Sequence, residues 1–183
     1  LIKIEYVNFE KLQIPSWKCT YTLRPELIVI GSSLIEFGFI QPIHVRLSTG
    51  EIIDGSERLK LAASIEQIYE MCEGKIPVVY HDVDIVDAMM LHIRLNRGHS
   101  TIVNEKLSSI IKEIIVSRKY SDSEIRSYLS MGNDEFSVLS DGSLIKHRKI
   151  KEHNYAKAWV PIEAPSGKAN SEMLIESPPN KDR

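Results

Sequence analysis

The sequence predicts an α+β fold in its first hundred residues and an all-helical module after them. Two observations predict it. Short runs with strand periodicity alternate with helical patterns up to about residue 100. From Asn104 onward only helical periodicity recurs, until the chain turns rich in Pro, Ser, Asn and Lys after Pro161. The expected organisation is therefore a mixed domain over residues 1–100, a helical module with a basic run over 101–160, and a disordered tail over 161–183.

Each element has a local reason. Ile2 to Val7 alternates apolar and polar residues with period two, a strand pattern. Pro15 and Pro25 bracket a loop containing Trp17. Pro25 suits the first turn of a helix, where its missing N–H has no intrahelical partner. That helix is expected to reach Phe37 and stop at Gly38, with Leu27, Ile30, Leu34 and Phe37 facing inward. Pro42–Leu47 and Glu51–Asp54 read as two strands of a hairpin joined through Ser48-Thr49-Gly50. A helix is expected from Ser56 to Tyr69, a short apolar strand from Ile76 to Tyr80, and a helix from Asp82 to Leu95. Beyond this point strands are expected to disappear. Asn104 is placed to cap a helix reaching Lys119, with Leu107, Ile110, Ile111, Ile114 and Ile115 on its buried side. Helices over Asp122–Leu129 and from Asn133 to Leu139 follow, separated by a Gly-containing turn.

Composition removes several function classes. Hydrophobic residues make up 43% and charged residues 26%, ordinary for a globular protein. Cys19 and Cys72 lie far apart and make neither a disulfide framework nor a zinc knuckle, so a reducing cytoplasm is the expected compartment. No secretory signal precedes the first strand, and the natural N-terminus is expected upstream of Leu1. The longest apolar run, Leu27–Ile40, is broken by Ser32, Ser33 and Glu36, so no membrane span is expected. The formal charge is −2, but it is unevenly spread. Residues 1–103 hold 10 Lys/Arg against 13 Asp/Glu, whereas Lys146, His147, Arg148, Lys149 and Lys151 form a compact basic run. Such a patch can bind nucleic acid within a mildly acidic chain.

Three constellations could carry chemistry. In the first, Ile52-Ile53-Asp54-Gly55-Ser56-Glu57-Arg58, a strand meets a helix through glycine. The free amides of that helix start, with Arg58 and Lys60 beside them, form an anion site or else an ordinary turn. In the second, Asn96, Arg97, His99 and Ser100 surround Gly98 and either grip a nucleotide or simply end a helix. In the third, Tyr120–Leu139 fits a helix-turn-helix or a plain helical hairpin, with Ile125, Leu129, Met131, Phe136 and Val138 as its small core. Asp134 and Glu135 at the start of its second helix count against DNA, because carboxylates repel phosphate there. The six histidines have no metal-ligand spacing, so no metal site is expected. Neither a nucleophile elbow nor a Walker loop is present.

Taken in order, these pieces resemble the ParB/sulfiredoxin superfamily, specifically ParB-like N-terminal domains. The segment "SSLIEFGFIQPIHVR" (32–46) looks like the family's helix and G-ψ-x-Q-P-ψ-x-V strand entry. "EIIDGSERLKLAA" (51–63) looks like its strand and G-E-R-R-x-R-A-A helix. "IRLNRGHSTIVNEKL" (93–107) falls where the family carries E-N-ψ-Q-R and the next helix. The resemblance spans roughly residues 1–116 and implies a small mixed β-sheet with helices, followed by a DNA-binding helix-turn-helix.

The resemblance also implies a nucleotide pocket. Gly55, Ser56, Glu57, Arg58 and Lys60 would run along the phosphates, Gln41 and Pro42 would shape a wall, and Asn96, Arg97, His99 and Ser100 would close the other side. CTP or ATP is the implied ligand, with magnesium in partition proteins. DNA is the implied partner through Lys146, His147, Arg148, Lys149 and Lys151, and a second copy of the chain is a candidate partner. Ser56 and Glu57 replace the motif's Glu-Arg, and Leu95 stands where the family has a magnesium-linked glutamate. Leucine offers no oxygen to a hard cation. Gly55-Ser56-Glu57-Arg58 also lacks the cysteine that sulfiredoxin chemistry needs. The leading expectation is a DNA-binding, nucleotide-binding partition or regulatory protein. The alternative that the resemblance implies is a nucleotide-dependent small-molecule kinase like those that phosphorylate free serine, with Glu36 and Asp54 as candidate bases, and a nuclease ranks last.

Overall fold

A computed structural model of the chain describes residues 3–98 and 100–141. His99, the basic run Lys146, His147, Arg148, Lys149 and Lys151, and the segment 161–183 lie outside the described residues. The fold is mixed α+β. In chain order the elements are β1 (Glu5–Asn8), β2 (Thr20–Tyr21), α1 (Arg24–Phe37), β3 (Ile43–Arg46), β4 (Ile52–Asp54), α2 (Ser56–Ser64) and α3 (Glu66–Met71). Then come β5 (Lys75–His81), α4 (Ile85–Asn96), β6 (Thr101–Ile102), α5 (Asn104–Ser117), α6 (Asp122–Leu129) and α7 (Asn133–Asp141). Four strands form one sheet in the order β1-β5-β3-β4. β5 runs parallel to β3 and antiparallel to β1, and β3 is antiparallel to β4, so the sheet is mixed. β2 and β6 pair separately, Thr20 opposite Ile102 and Tyr21 opposite Thr101.

Two apolar clusters hold these elements. One gathers Leu34 of α1, Leu59 and Ala62 of α2, Ile68 of α3, and the sheet residues Ile43, Val45, Ile52, Ile76 and Val78. The other joins Trp17, Cys19 and Ile53 to Met89, Met90 and Ile93 of α4 and to the buried faces of α5, α6 and α7. Side chains of a strand alternate faces. Ile52 therefore enters the first cluster and its neighbour Ile53 the second. Strand content nearly ends at residue 100, yet the second cluster continues across it. No described helix is long and apolar enough to cross a membrane.

The structure departs from sequence expectation at several elements. The helix expected over Ser56–Tyr69 is two helices, because Ile65 takes extended backbone (φ −99°, ψ 109°). The Ser64 hydroxyl, in the last turn of α2, donates to the Lys60 carbonyl (2.8 Å). Phe37 is 63% exposed rather than inward. α1 does present Leu34 and Ile30 to the core, as expected, with Ile35 beside them. Strands do not vanish after residue 100, since β6 closes the small β2–β6 pair. Val103, not Asn104, is the N-cap of α5, without a side-chain bond. In the α6–α7 hairpin Leu139 is buried and Val138 exposed, so Leu139 takes the place expected of Val138. α6 does begin as a capping box, with Ser121 and Glu124 bonding each other's backbone amides.

Candidate functional site

β4 ends at Asp54, and Gly55 follows in left-handed conformation (φ 97°, ψ 17°) as the N-cap of α2. A Cβ there would lie 2.7 Å from the Arg58 Nη2 and 3.2 Å from Ile43, so the turn requires glycine on both conformational and steric grounds. No side chain caps α2, which leaves its first-turn amides open to a ligand. Ser56, only 7% exposed, has no side-chain hydrogen-bond partner among the described residues.

This corner is one wall of a cleft of about 320 Å³. Of the residues predicted from sequence, Gln41, Asp54, Gly55, Ser56, Glu57, Arg58, Asn96 and Ser100 all line it. Three chain segments thus converge. Arg58 ties two of them together. Its Nη1 donates to Gln41 Oε1 (2.9 Å), and its Nη2 donates to the Pro42 carbonyl and to Asp54 Oδ2 (both 3.3 Å). Arg58 Nε is buried without a partner among the described residues. Asn96, buried at 4% exposure, brings in the third segment. Its Nδ2 donates to the His92 carbonyl (2.8 Å) and to Asp54 Oδ1 (3.4 Å), while its Oδ1 accepts from the Ser100 hydroxyl (2.9 Å).

Other predicted residues lie elsewhere. Pro42 contributes only its carbonyl, to Arg58. Lys60 points outward and pairs with Glu57 at 3.2 Å. Glu36 is exposed on α1 and does not line the cleft. Asp54 lines it, but both its oxygens are engaged by Arg58 and Asn96. Arg97 turns away and forks onto Glu135 (2.7 and 3.0 Å) and the Ser130 carbonyl (3.3 Å) at the α6–α7 turn. That fork neutralises one of the two carboxylates that weighed against a DNA-facing α7. The Arg97 charge, after its hydrogen bond, holds the Glu135 carboxyl below its usual value.

Sequence reasoning missed the opposite wall, where Lys18, Thr20, Tyr21, Thr22, Glu26 and Ile30 lie. The Pro15–Pro25 loop has no periodicity that could announce it. Lys18 forms an ion pair with Glu57 across the cleft, and both side chains are largely buried. Burial pulls the Lys18 ammonium below its ordinary pKa, partly offset by Glu57. Burial pushes the Glu57 carboxyl up, but the Lys18 hydrogen bond and the charges of Lys18 and Lys60 outweigh it, so its pKa ends below the usual value.

His92 was missed too, though it sits one turn before Asn96 on the same helix face. It is 3% exposed, its Nδ1–H donates to the Ile53 carbonyl (2.6 Å), and its Nε2 accepts from the Cys19 amide (3.4 Å). That pattern fixes the neutral tautomer. One imidazole therefore holds together the residues beside Lys18, beside Asp54 and on α4. The Cys19 thiol is fully buried and pushed up to about 11, too protonated for a nucleophile.

Among the described residues, Leu95 offers magnesium no oxygen. Leu95 packs into the second cluster, and among the described residues no three His, Cys, Asp or Glu side chains are grouped to hold a metal. The amides of α2, the Ser56 hydroxyl and the Ser100 hydroxyl do suit phosphate oxygens.

No family model matches the chain, and no curated protein sequence does. The chain is similar to several solved structures. One is the C-terminally truncated chromosome-partitioning protein ParB from Caulobacter crescentus complexed with CTP-γ-S, at 17% identity over 78% of this chain and 87% of that one (TM-score 0.43). A second is the same truncated Caulobacter protein complexed to the centromeric parS site, at 18% identity over 74% and 69% (TM-score 0.49). A third is a Pnob8-like ParB-N domain, at 16% identity over 69% and 49% (TM-score 0.47).

Proposed function

We propose that the chain is a ParB-like partition or regulatory protein that receives the phosphates of a nucleotide in the cleft and binds DNA through its helical segment and the basic run 146–151. The observation that carries the reading is convergence. Gln41, the Asp54–Arg58 corner, Asn96 and Ser100 come from three segments separated in sequence, and all line one cleft. A plain turn at Gly55 would not need such company. CTP and ATP are the candidate ligands. Phosphate binding is favoured over phosphoryl transfer, because Glu36 is outside the cleft and Asp54 serves as the link that ties Arg58 to Asn96.

Calorimetric titration of CTP, ATP, GTP and ADP, each with and without magnesium, tests the cleft. At least one triphosphate is expected to bind; silence from all four removes the nucleotide reading. A gel shift with duplex DNA at low and moderate salt tests the other half. Binding that weakens steeply with salt is expected for phosphate contacts, and no shift at low salt would remove DNA from the proposal.

A further inference from the structure

The cleft carries its own counter-ions. Arg58 is committed to Asp54, Gln41 and Pro42. The other cation lining the cleft among the described residues, Lys18, is committed to Glu57. Glu57 sits in the first turn of α2, beside the open amides and the unpartnered Ser56 hydroxyl. A carboxylate in that place has the chemistry of a ligand phosphate: negative oxygens near a helix start, in contact with an ammonium. Because both partners are largely buried, a dianionic ligand arriving beside Glu57 would meet a like charge at close range with little solvent screening.

We propose that Glu57 is a built-in anion that occupies the seat of a ligand phosphate, and that Lys18 changes partner from Glu57 to the ligand on binding. This rests on the phosphate reading of the cleft and adds to it a residue that limits affinity and one that supplies it. Lys60 takes up the displaced carboxylate. It already touches the same Glu57 oxygen from the solvent side, and half of its side chain is exposed, so it can follow an outward swing. Binding is thus an exchange of ion-pair partners, and Glu57 selects for ligands with enough charge to drive the exchange, polyphosphates over monophosphates.

The test uses inorganic tripolyphosphate, which has no base or sugar, alongside CTP, by calorimetry on the full chain. The proteins are wild type, Glu57→Gln, Lys18→Met, the double variant, and Glu36→Gln, which removes one carboxylate outside the cleft. Circular dichroism checks folding, and Lys18→Gln replaces Lys18→Met if the latter does not fold. Glu57→Gln is expected to bind tripolyphosphate about tenfold more tightly than wild type. That gain is expected to disappear when Lys18 is also replaced, and Glu36→Gln is expected to match wild type. An equal gain in Glu36→Gln, or a gain that survives loss of Lys18, overturns the proposal as a mere change of net charge. CTP bound by wild type and no more tightly by Glu57→Gln overturns the proposal and leaves the phosphate cleft standing. If neither tripolyphosphate nor CTP binds wild type or Glu57→Gln, both fall.

Discussion

Arg58 spans Gln41, Pro42 and Asp54 with one guanidinium, so its planar fork matters as much as its charge. Arg58→Lys keeps the charge but loses the fork that reaches Gln41 from one nitrogen and Pro42 and Asp54 from another. Calorimetry is expected to show at least about a tenfold loss of CTP affinity for Arg58→Lys and no measurable binding for Arg58→Ala; undiminished affinity in either would remove Arg58 from the cleft's phosphate-binding side. His92 makes a different kind of prediction. Burial holds its pKa below the ordinary 6.5, with the Ile53 carbonyl and the Asp54 charge opposing that shift and the Lys18 charge reinforcing it. The unfolded chain therefore takes up this proton at a higher pH than the folded chain. The stabilisation is complete above about pH 6.5 and is lost as pH falls from there toward the folded value. His44 and His81, hydrogen-bonded to each other at 2.8 Å, are lowered by burial as well and act in the same direction. Urea denaturation between about pH 7.5 and pH 5.5 is expected to show stability falling on the acid side. A flat profile would mean that these histidines take up protons in the folded chain as readily as in the unfolded one.

At the scale of elements, α4 links the cleft to the helical hairpin. Asn96 faces the cleft, and the next residue, Arg97, holds the α6–α7 turn through Glu135 and Ser130. The sequence reading placed both residues with the nucleotide, because adjacency in a motif says nothing about which way consecutive helical side chains point. Arg97→Ala is expected to lower stability by about 0.2–1 kcal/mol, the range for a partly exposed ion pair, and to leave CTP affinity unchanged. A loss of affinity equal to that of Arg58→Lys would return Arg97 to the cleft. Elements with a strong local signal were legible. The Pro25 start of α1, the Gly38 stop, and α5 with its isoleucine stripe all lie within a residue or two of expectation. The break at Ile65 was not legible, since the apolar pattern runs on through Ile65 and Ile68 while the backbone at Ile65 is extended.

For the whole molecule, the mixed domain and the helical module share the cluster built on Trp17, Ile53 and α4. A chain ending at residue 100 would lose Leu107, Ile110, Ile111, Ile114, Ile125, Leu129, Met131, Phe136 and Leu139 from that cluster. Such a fragment is expected to bind a hydrophobic dye and to melt without a cooperative transition, whereas the full chain melts cooperatively; a sharp melt from the fragment would show that the first hundred residues stand alone. The α+β class was legible because periodicity marks strands and helices separately. The Gly55 corner and Asn96 were legible because the motifs kept their order. The Lys18 wall of the cleft was not, because an aperiodic loop reveals its position only once the fold brings Cys19 under His92.

β4 is three residues long, and its two isoleucines are anchored in different cores. The corner that follows it is therefore a fixed jaw. Neither core can shift without pulling Asp54 and Gly55 along, and Arg58 and Asn96 clamp the same point from both sides. Across from it, Tyr21 and Leu23 are open to solvent and rest on a strand pair only two residues long. The cleft therefore has one wall whose backbone is pinned from two cores at once.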